Sequence, residues 1–354
     1  MRSMLLVIFG AGASFDSAPT YPPLNPPHKD GLFDRPPLAN QLFDNRDRFA
    51  TALQRFSECQ PLIPRLRGLE EGVTIEELLE EYQSQAADYP KRHTQLAAIR
   101  YYLHFVLWEL QRHWENTHRG VTNYKTLLDD LERWRSKSKQ PICLVTFNYD
   151  TMLESALPVL DLNIRNLADY VSDKNYKVIK VHGSVNWAHE VVDPFIECLE
   201  SGNADLIAHE LIAKATELKL SDQFRVVDVY PIGIGPRGGG RVALFPALAL
   251  PVRSKASFEC PDYHLKSLRD FLPEVTEILS IGWAAAEEHF LTLLRADLKH
   301  VPRLMIIGAN KDDAFLTARS LMASGIGRDP YCGEGGFTDS IKSREIDAFL
   351  WSNS

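Results

Sequence analysis

Short runs of apolar, largely β-branched residues recur along this 354-residue chain and constrain its fold more than any other feature. Their uninterrupted apolar character predicts strands buried on both faces, and the helical stretches between them predict a parallel sheet covered by helices. In the last pair, a helical segment near Glu287–Leu298 joins two such strands, which is typical of a βαβ unit. We therefore expect an α/β fold with a Rossmann-like parallel sheet. The predicted strands are Met4–Phe9, Ile142–Phe147, Lys177–Val181, Glu277–Ile281 and Leu304–Ile307.

The sequence between the first two predicted strands has a different character. Residues Tyr21–Pro37 are rich in proline and cannot form a regular helix. From about Asp47 to Ser138 the apolar residues recur with a helical period, and the Thr74 to Glu77 pattern predicts a capping box at a helix start. We predict a helical insertion of about four helices here.

These features together predict the domain boundaries. We expect an α/β domain made of residues 1–44 and 139–329, a helical insertion at 45–138 and a C-terminal tail at 330–354. A second irregular region, Glu190–Ala256, contains a helical stretch at Asn203–Leu218 and separates the third predicted strand from the βαβ unit.

Composition narrows the classes of function. The formal net charge of -8 and the pI of about 5.8 give no general attraction to nucleic acid phosphates. No stretch approaches the roughly 18 apolar residues that span a bilayer, and the first apolar run is too short for a signal peptide, so we expect a soluble, cytoplasmic protein. The five cysteines are scattered, with no CxxC pair, which predicts neither a disulfide framework nor a zinc ribbon.

The strongest local signal is Gly10-Ala11-Gly12-Ala13-Ser14, directly after the first predicted strand. Glycines at a strand-to-helix turn let the backbone approach a pyrophosphate, and the start of the helix offers N–H groups to it. The dehydrogenase fingerprint would need a third glycine at position 15, where this chain has Phe15. An ordinary tight turn is the alternative interpretation.

Two further polar motifs follow predicted strands, where ligands of parallel sheets bind. Asn148-Tyr149-Asp150 follows the second strand, and the alternative for Asp150 is capping of a helix at Thr151–Leu157. His182-Gly183-Ser184 follows the third strand; the histidine could act as a general base, or it could be structural.

The three motifs in this order resemble those of the sirtuins, and in particular the sirtuin-like NADases of bacterial antiviral defence systems. The phosphate loop of that family resembles Gly10–Ser14, its Asn-x-Asp step resembles Asn148–Asp150, and its His-Gly step resembles His182–Ser184.

Further segments are similar to parts of that family. Pro36–Phe43 resembles a segment common in the defence proteins, and Phe245–Pro251 with Ser254-Lys255 resembles an apolar, proline-bearing stretch late in the domain. Ile281-Gly282-Trp283-Ala284 lies where the family has a step that contacts the cofactor. Asn310 lies where sirtuins place an asparagine near the adenosine ribose.

Three departures from the family pattern bear on function. The two CxxC pairs of deacylating sirtuins are missing, since only Cys198 and Cys260 lie in the corresponding span. The Asp-Phe-Arg segment after the phosphate loop is missing too, and Ala284 replaces a serine. The first two departures weigh against acyl-lysine chemistry more than against NAD binding.

The resemblance implies an NAD⁺ hydrolase that cleaves the nicotinamide–ribose bond and depletes NAD⁺ as an antiphage effector, with NAD as its substrate and no metal. In that scheme Asn148 orients water or ribose, Asp150 contacts the nicotinamide amide, and His182 is a general base or orients ribose hydroxyls. The rest of the dinucleotide would be bound by Gly10, Ala11, Gly12, Ser14, Gly183, Ser184, Gly282, Trp283 and Asn310.

The resemblance also implies a homo-oligomer with a separate activating partner, such as a HerA-type ATPase or an Argonaute-like protein, without direct nucleic acid or membrane binding. Two alternatives stay open. The chain could be a non-catalytic scaffold or sensor module that binds NAD or ADP-ribose, or it could perform other sirtuin chemistry such as deacylation or ADP-ribosyl transfer.

Overall fold

The structure is a computed structural model, and it describes residues 3–20, 35–70, 72–228, 230–234, 240–252 and 258–352. Most of the proline-rich segment predicted at Tyr21–Pro37 lies outside the described residues, as does Ser254-Lys255. The described chain divides into two compact units. The first comprises the described parts of Met1–Leu38, Gln111–His182 and Cys260–Ser354; the second comprises those of Ala39–Leu110 and Gly183–Glu259.

Regular structure covers most of the described residues. The strands are β1 (Met4–Phe9), β2 (Ile142–Thr146), β3 (Tyr176–Lys180), β4 (Gly183–Asp193), β5 (Lys219–Val226), β6 (Ile232–Ile234), β7 (Arg241–Leu248), β8 (Val275–Ile281), β9 (Arg303–Ile307) and β10 (Arg328–Cys332). The helices are α1 (Ala11–Phe15), α2 (Asp47–Arg55), α3 (Ile63–Arg67), α4 (Ile75–Gln85), α5 (Lys91–Thr117), α6 (Asn123–Ser138), α7 (Met152–Ala156), α8 (Asp169–Ser172), α9 (Ala204–Ala213), α10 (Asp262–Phe271), α11 (Glu288–Asp297), α12 (Lys311–Ala323), α13 (Phe337–Ser343) and α14 (Glu345–Trp351). None of these helices is long and apolar enough to cross a membrane.

The first unit is built on a six-stranded parallel sheet with the strand order β10-β9-β8-β1-β2-β3. Counting only these six strands along the chain, the order is 6-5-4-1-2-3, which is the doubly wound Rossmann order. Leu5–Phe9 of β1 are fully buried, because strands flank them on both sides and helices cover both faces. The predicted Rossmann-like parallel sheet is therefore confirmed, and so is the βαβ unit β8-α11-β9.

The C-terminal residues belong to this unit. Residues 330–354, which we predicted to be a tail, include the end of β10 and the helices α13 and α14. Asp347 of α14 forms an ion pair with Arg133 (2.7 Å), and Trp134 donates from its indole nitrogen to the carbonyl of Leu350 (2.8 Å). The β10 strand escaped the sequence pattern because it is a half-exposed edge strand, Arg-Asp-Pro-Tyr-Cys, with no apolar run.

The second unit combines the helices α2–α4, α9 and most of α5 with a four-stranded antiparallel sheet of order β5-β4-β7-β6. We predicted irregular structure for Glu190–Ala256, so three of these strands are a correction; β5 in particular has no apolar alternation to reveal it. The predicted capping box is confirmed, since Glu77 N donates to Thr74 Oγ1 (3.2 Å) and Thr74 N donates to the Glu77 carboxylate (2.9 Å).

The two units group the chain differently from the predicted domain boundaries. Helix α6, within the predicted insertion of residues 45–138, belongs to the first unit, and α5 contributes to both because the boundary follows Leu110. The described residues between 47 and 138 form five α-helices, where about four were predicted.

Candidate functional site at the carboxyl edge of the parallel sheet

The strand order places one point of the parallel sheet in a special position. The chain passes from β1 to β2 and β3 on one side, whereas β8, β9 and β10 extend the sheet on the other side. In open α/β sheets, ligands bind beyond the carboxyl ends of the strands at such a reversal of strand order. The loops that leave β1 and β8, beginning at Gly10 and Gly282, meet at this point.

Glycines allow the backbones of these two loops to touch. Gly10 N donates to Ile281 O (3.0 Å) and Gly12 N donates to Gly282 O (3.1 Å). A Cβ atom on Gly10 would lie 2.4 Å from Gly282 O, and one on Gly282, whose φ is +62°, would lie 2.3 Å from Ala13 N. The close packing of the two loops therefore requires glycines here, whether or not a ligand approaches. Two of the N–H groups that we expected to face a pyrophosphate form hydrogen bonds within the protein instead.

Asn148 ties the loop after β2 to the loop after β1. Its side-chain amide is buried and donates to Gly10 O (2.9 Å) and to Ser14 Oγ (3.0 Å). The Ser14 hydroxyl also bonds to the buried Tyr124 hydroxyl (3.0 Å). Because the Asn148 nitrogen is engaged in this way, its amide oxygen is the atom suited to accept a hydrogen bond from a ligand.

Asp150 lies two residues further along the same loop. Its Oδ1 accepts a hydrogen bond from Met152 N (3.0 Å), the first residue of α7, although the N-cap position of this helix is Thr151 rather than Asp150. Burial raises the pKa of this carboxyl, while the Lys180 ammonium, a hydrogen bond from Ser14 and the Met152 N–H act in the opposite direction.

His182 packs among aromatic rings at the end of β3. Its ring contacts the edge of Phe147 (centroids 5.0 Å apart), and Phe147 in turn stacks on Trp283 (5.3 Å) from the loop after β8. The Trp283 indole nitrogen donates to the Glu287 carboxylate (2.6 Å). His289 of α11 brings a second imidazole, nearly parallel to that of His182 with centroids 6.2 Å apart.

A buried carboxylate joins the loop after β1 to the C-terminal segment. Asp16 accepts hydrogen bonds from Thr338 N (2.9 Å) and Thr338 Oγ1 (2.6 Å), and Asn123 donates to both Asp16 O (2.7 Å) and Thr338 Oγ1 (2.8 Å). Burial raises the pKa of Asp16, opposed by the two Thr338 hydrogen bonds and by the Arg35 guanidinium.

Three predicted site residues lie in other surroundings. Asn310 is exposed and caps α12, accepting from Asp313 N (3.0 Å) and donating to the Asp313 carboxylate (2.9 Å). Gly183 and Ser184 begin β4 in the second unit, where a Cβ atom on Gly183 (φ +79°) would lie 2.0 Å from Ala247 O. Their roles in ligand binding stay predictions.

The structure thus brings Gly10–Ser14, Asn148, Asp150, Gly282 and Trp283 together, with His182 joined through Phe147. Sequence reasoning missed Asp16, Tyr124, Lys180, His289 and Thr338, none of which stands in a recognisable motif. Within the described ranges, no group of three or more His, Cys, Asp or Glu side chains is arranged to hold a metal ion.

No family model matches this sequence. No curated protein matches it either. Solved structures of Sir2 enzymes are similar over nearly the whole chain: one on the mechanism and regulation of Sir2 enzymes is 12% identical, with 98% of this chain and 94% of that chain covered and a TM-score of 0.37. Sir2Tm bound to a propionylated peptide is 12% identical, with 92% and 95% covered and a TM-score of 0.33. Identities and TM-scores this low assign neither a family nor an activity.

The close approach of the two glycine loops predicts a specific loss of stability. Gly282→Ala should lower the thermal unfolding midpoint more than Gly325→Ala, because both positions have positive φ (+62° and +73°) but only Gly282 meets backbone atoms below 3 Å. Positive φ alone costs alanine about 1–2 kcal/mol. Equal losses in the two variants, measured by differential scanning calorimetry, would contradict the packing described here.

The buried Asp16 predicts a dependence of stability on pH. Its pKa in the folded protein lies above the ordinary value of 3.8, so the folded state holds the proton more tightly than the unfolded state. The resulting stabilisation is present below that ordinary value and is lost as pH rises through the folded pKa. Between those two pKa values, the thermal unfolding midpoint of the wild type should fall with rising pH relative to that of Asp16→Asn. A wild-type midpoint that rises with pH relative to that of Asp16→Asn would contradict the raised pKa of Asp16. Asp270→Asn, at an exposed position of α10, is the control.

Proposed function

We propose that this protein hydrolyses the nicotinamide–ribose bond of NAD⁺ and releases nicotinamide and ADP-ribose. The observation that carries the proposal is the meeting of distant motifs at the point where the strand order reverses. Asn148 bonds to Gly10, 138 residues away in the chain, and Asp150 bonds to Ser14 of the same loop. An amide, a carboxyl group and the His182 imidazole thus accompany a loop of the kind that binds dinucleotides.

These groups suit the chemistry of the reaction. When the nicotinamide–ribose bond breaks, its electron pair stays with the nicotinamide nitrogen, and the ribose becomes an oxocarbenium-like cation. Water then adds to the anomeric carbon of this cation and loses a proton to a base. His182 is the candidate general base. The Asn148 oxygen can accept a hydrogen bond from the water or from a ribose hydroxyl. An ionised Asp150 can accept one from the nicotinamide amide.

The aromatic rings around His182 support the same reaction. Phe147 and Trp283 are only 6% and 4% exposed, so they provide an apolar wall beside the imidazole. Exclusion of bulk water strengthens the electrostatic interactions of a site and limits access to the water molecules that the site itself holds.

A non-catalytic module that binds NAD or ADP-ribose is the second candidate. One observation favours it: the Asn148 nitrogen holds Gly10 and Ser14, so Asn148 has a structural reason to be present even in a protein without activity. Binding without turnover would distinguish the two functions.

The antiphage role, the homo-oligomeric state and a HerA-type or Argonaute-like partner derive from the sequence resemblance alone and stay predictions. The same holds for the proposed extent of the NAD-binding domain over residues 1–44 and 139–329.

The experiment for the proposal is incubation of the purified protein with NAD⁺, followed by chromatography of nicotinamide and ADP-ribose. His182→Ala should reduce the rate by about 10²–10⁴-fold, the usual contribution of a general acid–base group. Asn148→Ala should also reduce it strongly. His93→Ala removes an exposed histidine of the second unit and should leave the rate unchanged.

Undiminished release by His182→Ala would contradict the assigned role. Binding of NAD⁺ by the wild type in calorimetry, without release of nicotinamide, would instead support the binding module. Circular dichroism spectra and unfolding midpoints of all variants control for folding.

A further inference from the structure

Lys180, the last residue of β3, has a fully buried side chain. Its ammonium donates to the carbonyl oxygen of Asp150 and forms an ion pair with the Glu154 carboxylate at 3.0 Å. The Glu154 side chain is 9% exposed and accepts a second hydrogen bond from the Tyr170 hydroxyl (2.9 Å). A buried ammonium is costly unless it is paired, so this position requires both of its partners.

The two contacts of Lys180 connect it to different parts of the structure. The ion pair with Glu154 connects β3 to α7, as any structural salt bridge would. The bond to the Asp150 carbonyl, however, holds the middle of the loop that carries Asn148 and Asp150. The far end of that loop is fixed separately, since Thr151 N donates to the side chain of Gln111 (2.7 Å).

We propose that Lys180 is a positioning residue of the candidate site, which holds the loop that carries Asn148 and Asp150 in place. This inference rests on the proposed function for its catalytic meaning. Because the Lys180 side chain is fully buried against the Asp150 carbonyl and the Glu154 carboxylate, its role in the site is indirect. It acts through Asp150, two residues after Asn148, from a position two residues before His182.

The surroundings of Asp150 raise the pKa of its carboxyl group, and the Lys180 ammonium opposes this increase. Glu154 of α7 and Glu115 of α5 bring negative charge near it, Tyr124 of α6 is close by, and Lys180 of β3 brings positive charge. Burial is the main cause that raises the pKa of Asp150, Glu154 adds to it, and the Lys180 ammonium lowers it. Loss of Lys180 therefore moves Asp150 towards its protonated form, which accepts hydrogen bonds less well.

The test compares three variants of the full-length protein. Lys180→Met removes the ammonium but leaves Glu154 buried without its cation, which threatens folding. Lys180→Met combined with Glu154→Gln removes both charges and keeps a neutral pair. Lys177→Met is the matched control, because Lys177 lies on the same strand and donates to the carbonyls of Val171 and Asp173, away from the site loop.

In NAD⁺ cleavage, the double variant should lose about tenfold or more in kcat at neutral pH, since small displacements of catalytic groups have effects of at least that size. The acidic limb of its pH–rate profile should move to higher pH, because the lost Lys180 ammonium affects the pKa of Asp150 more than the lost Glu154 carboxylate does. Part of the rate should return as pH rises. Lys177→Met should retain the profile of the wild type. A profile of the double variant that coincides with that of the wild type would overturn the inference.

A second measurement does not depend on activity. Titration of the Asp150 carboxyl carbon by NMR, in protein labelled at aspartate and assigned with Asp150→Asn, should give a higher midpoint in the double variant than in the wild type or Lys177→Met. An unchanged midpoint would overturn the role of Lys180. If the wild type cleaves no NAD⁺ but the midpoint rises, the proposed function fails while the link between Lys180 and Asp150 stands.

Discussion

The candidate site depends on one contact, the direct packing of the backbone loop after β1 against the backbone loop after β8. Gly10, Gly12 and Gly282 meet there at distances that exclude a side chain at any of the three positions. The contact sits where the strand order of the parallel sheet reverses, so it joins the two halves of the doubly wound fold. The other groups of the site are connected to these loops by hydrogen bonds, as for Asn148, or by ring contacts, as for His182.

Buried polar side chains extend from that contact in two directions. Towards β2 and β3, the hydrogen bonds of Asn148 and Ser14 lead to Asp150 and then to Lys180. Towards the C-terminus, Asp16 leads to Thr338. Buried charges and amides destabilise a fold unless they are paired, and such networks concentrate where function requires them. These networks lie at the carboxyl edge of the sheet, where a ligand site of an open α/β sheet is expected.

The sequence predicted the parts of this arrangement that leave a local pattern. Five of the six parallel strands contain short, largely buried apolar runs that the sequence reveals, and the glycine, Asn-x-Asp and His-Gly motifs follow closely after three of them. The sequence predicts these glycines because they let a ligand approach the backbone. The structure shows that they are also required because a side chain there would clash with the neighbouring loop. This packing requirement depends on residues about 270 positions away in the chain, so the local sequence around the glycines does not reveal it.

The parts that escaped prediction have the opposite property. Strand β10 and the antiparallel strands β5 and β6 are short or half-exposed, so their apolar residues do not alternate or cluster. Lys180 and Asp16 are ionisable residues whose burial depends on partners far away in the chain, namely Glu154 and Thr338. A sequence alone presents them as ordinary surface residues, because lysine and aspartate are rarely buried.

The most direct test of the central claim is a crystal structure of the protein with a non-hydrolysable carba-analogue of NAD⁺. We expect the pyrophosphate against the loop that begins at Gly10, between the carboxyl ends of β1 and β8, and the nicotinamide ring near Asp150 and His182. The analogue bound at any other place on the chain, or no binding at millimolar concentration, would contradict the assignment of this edge as a dinucleotide site.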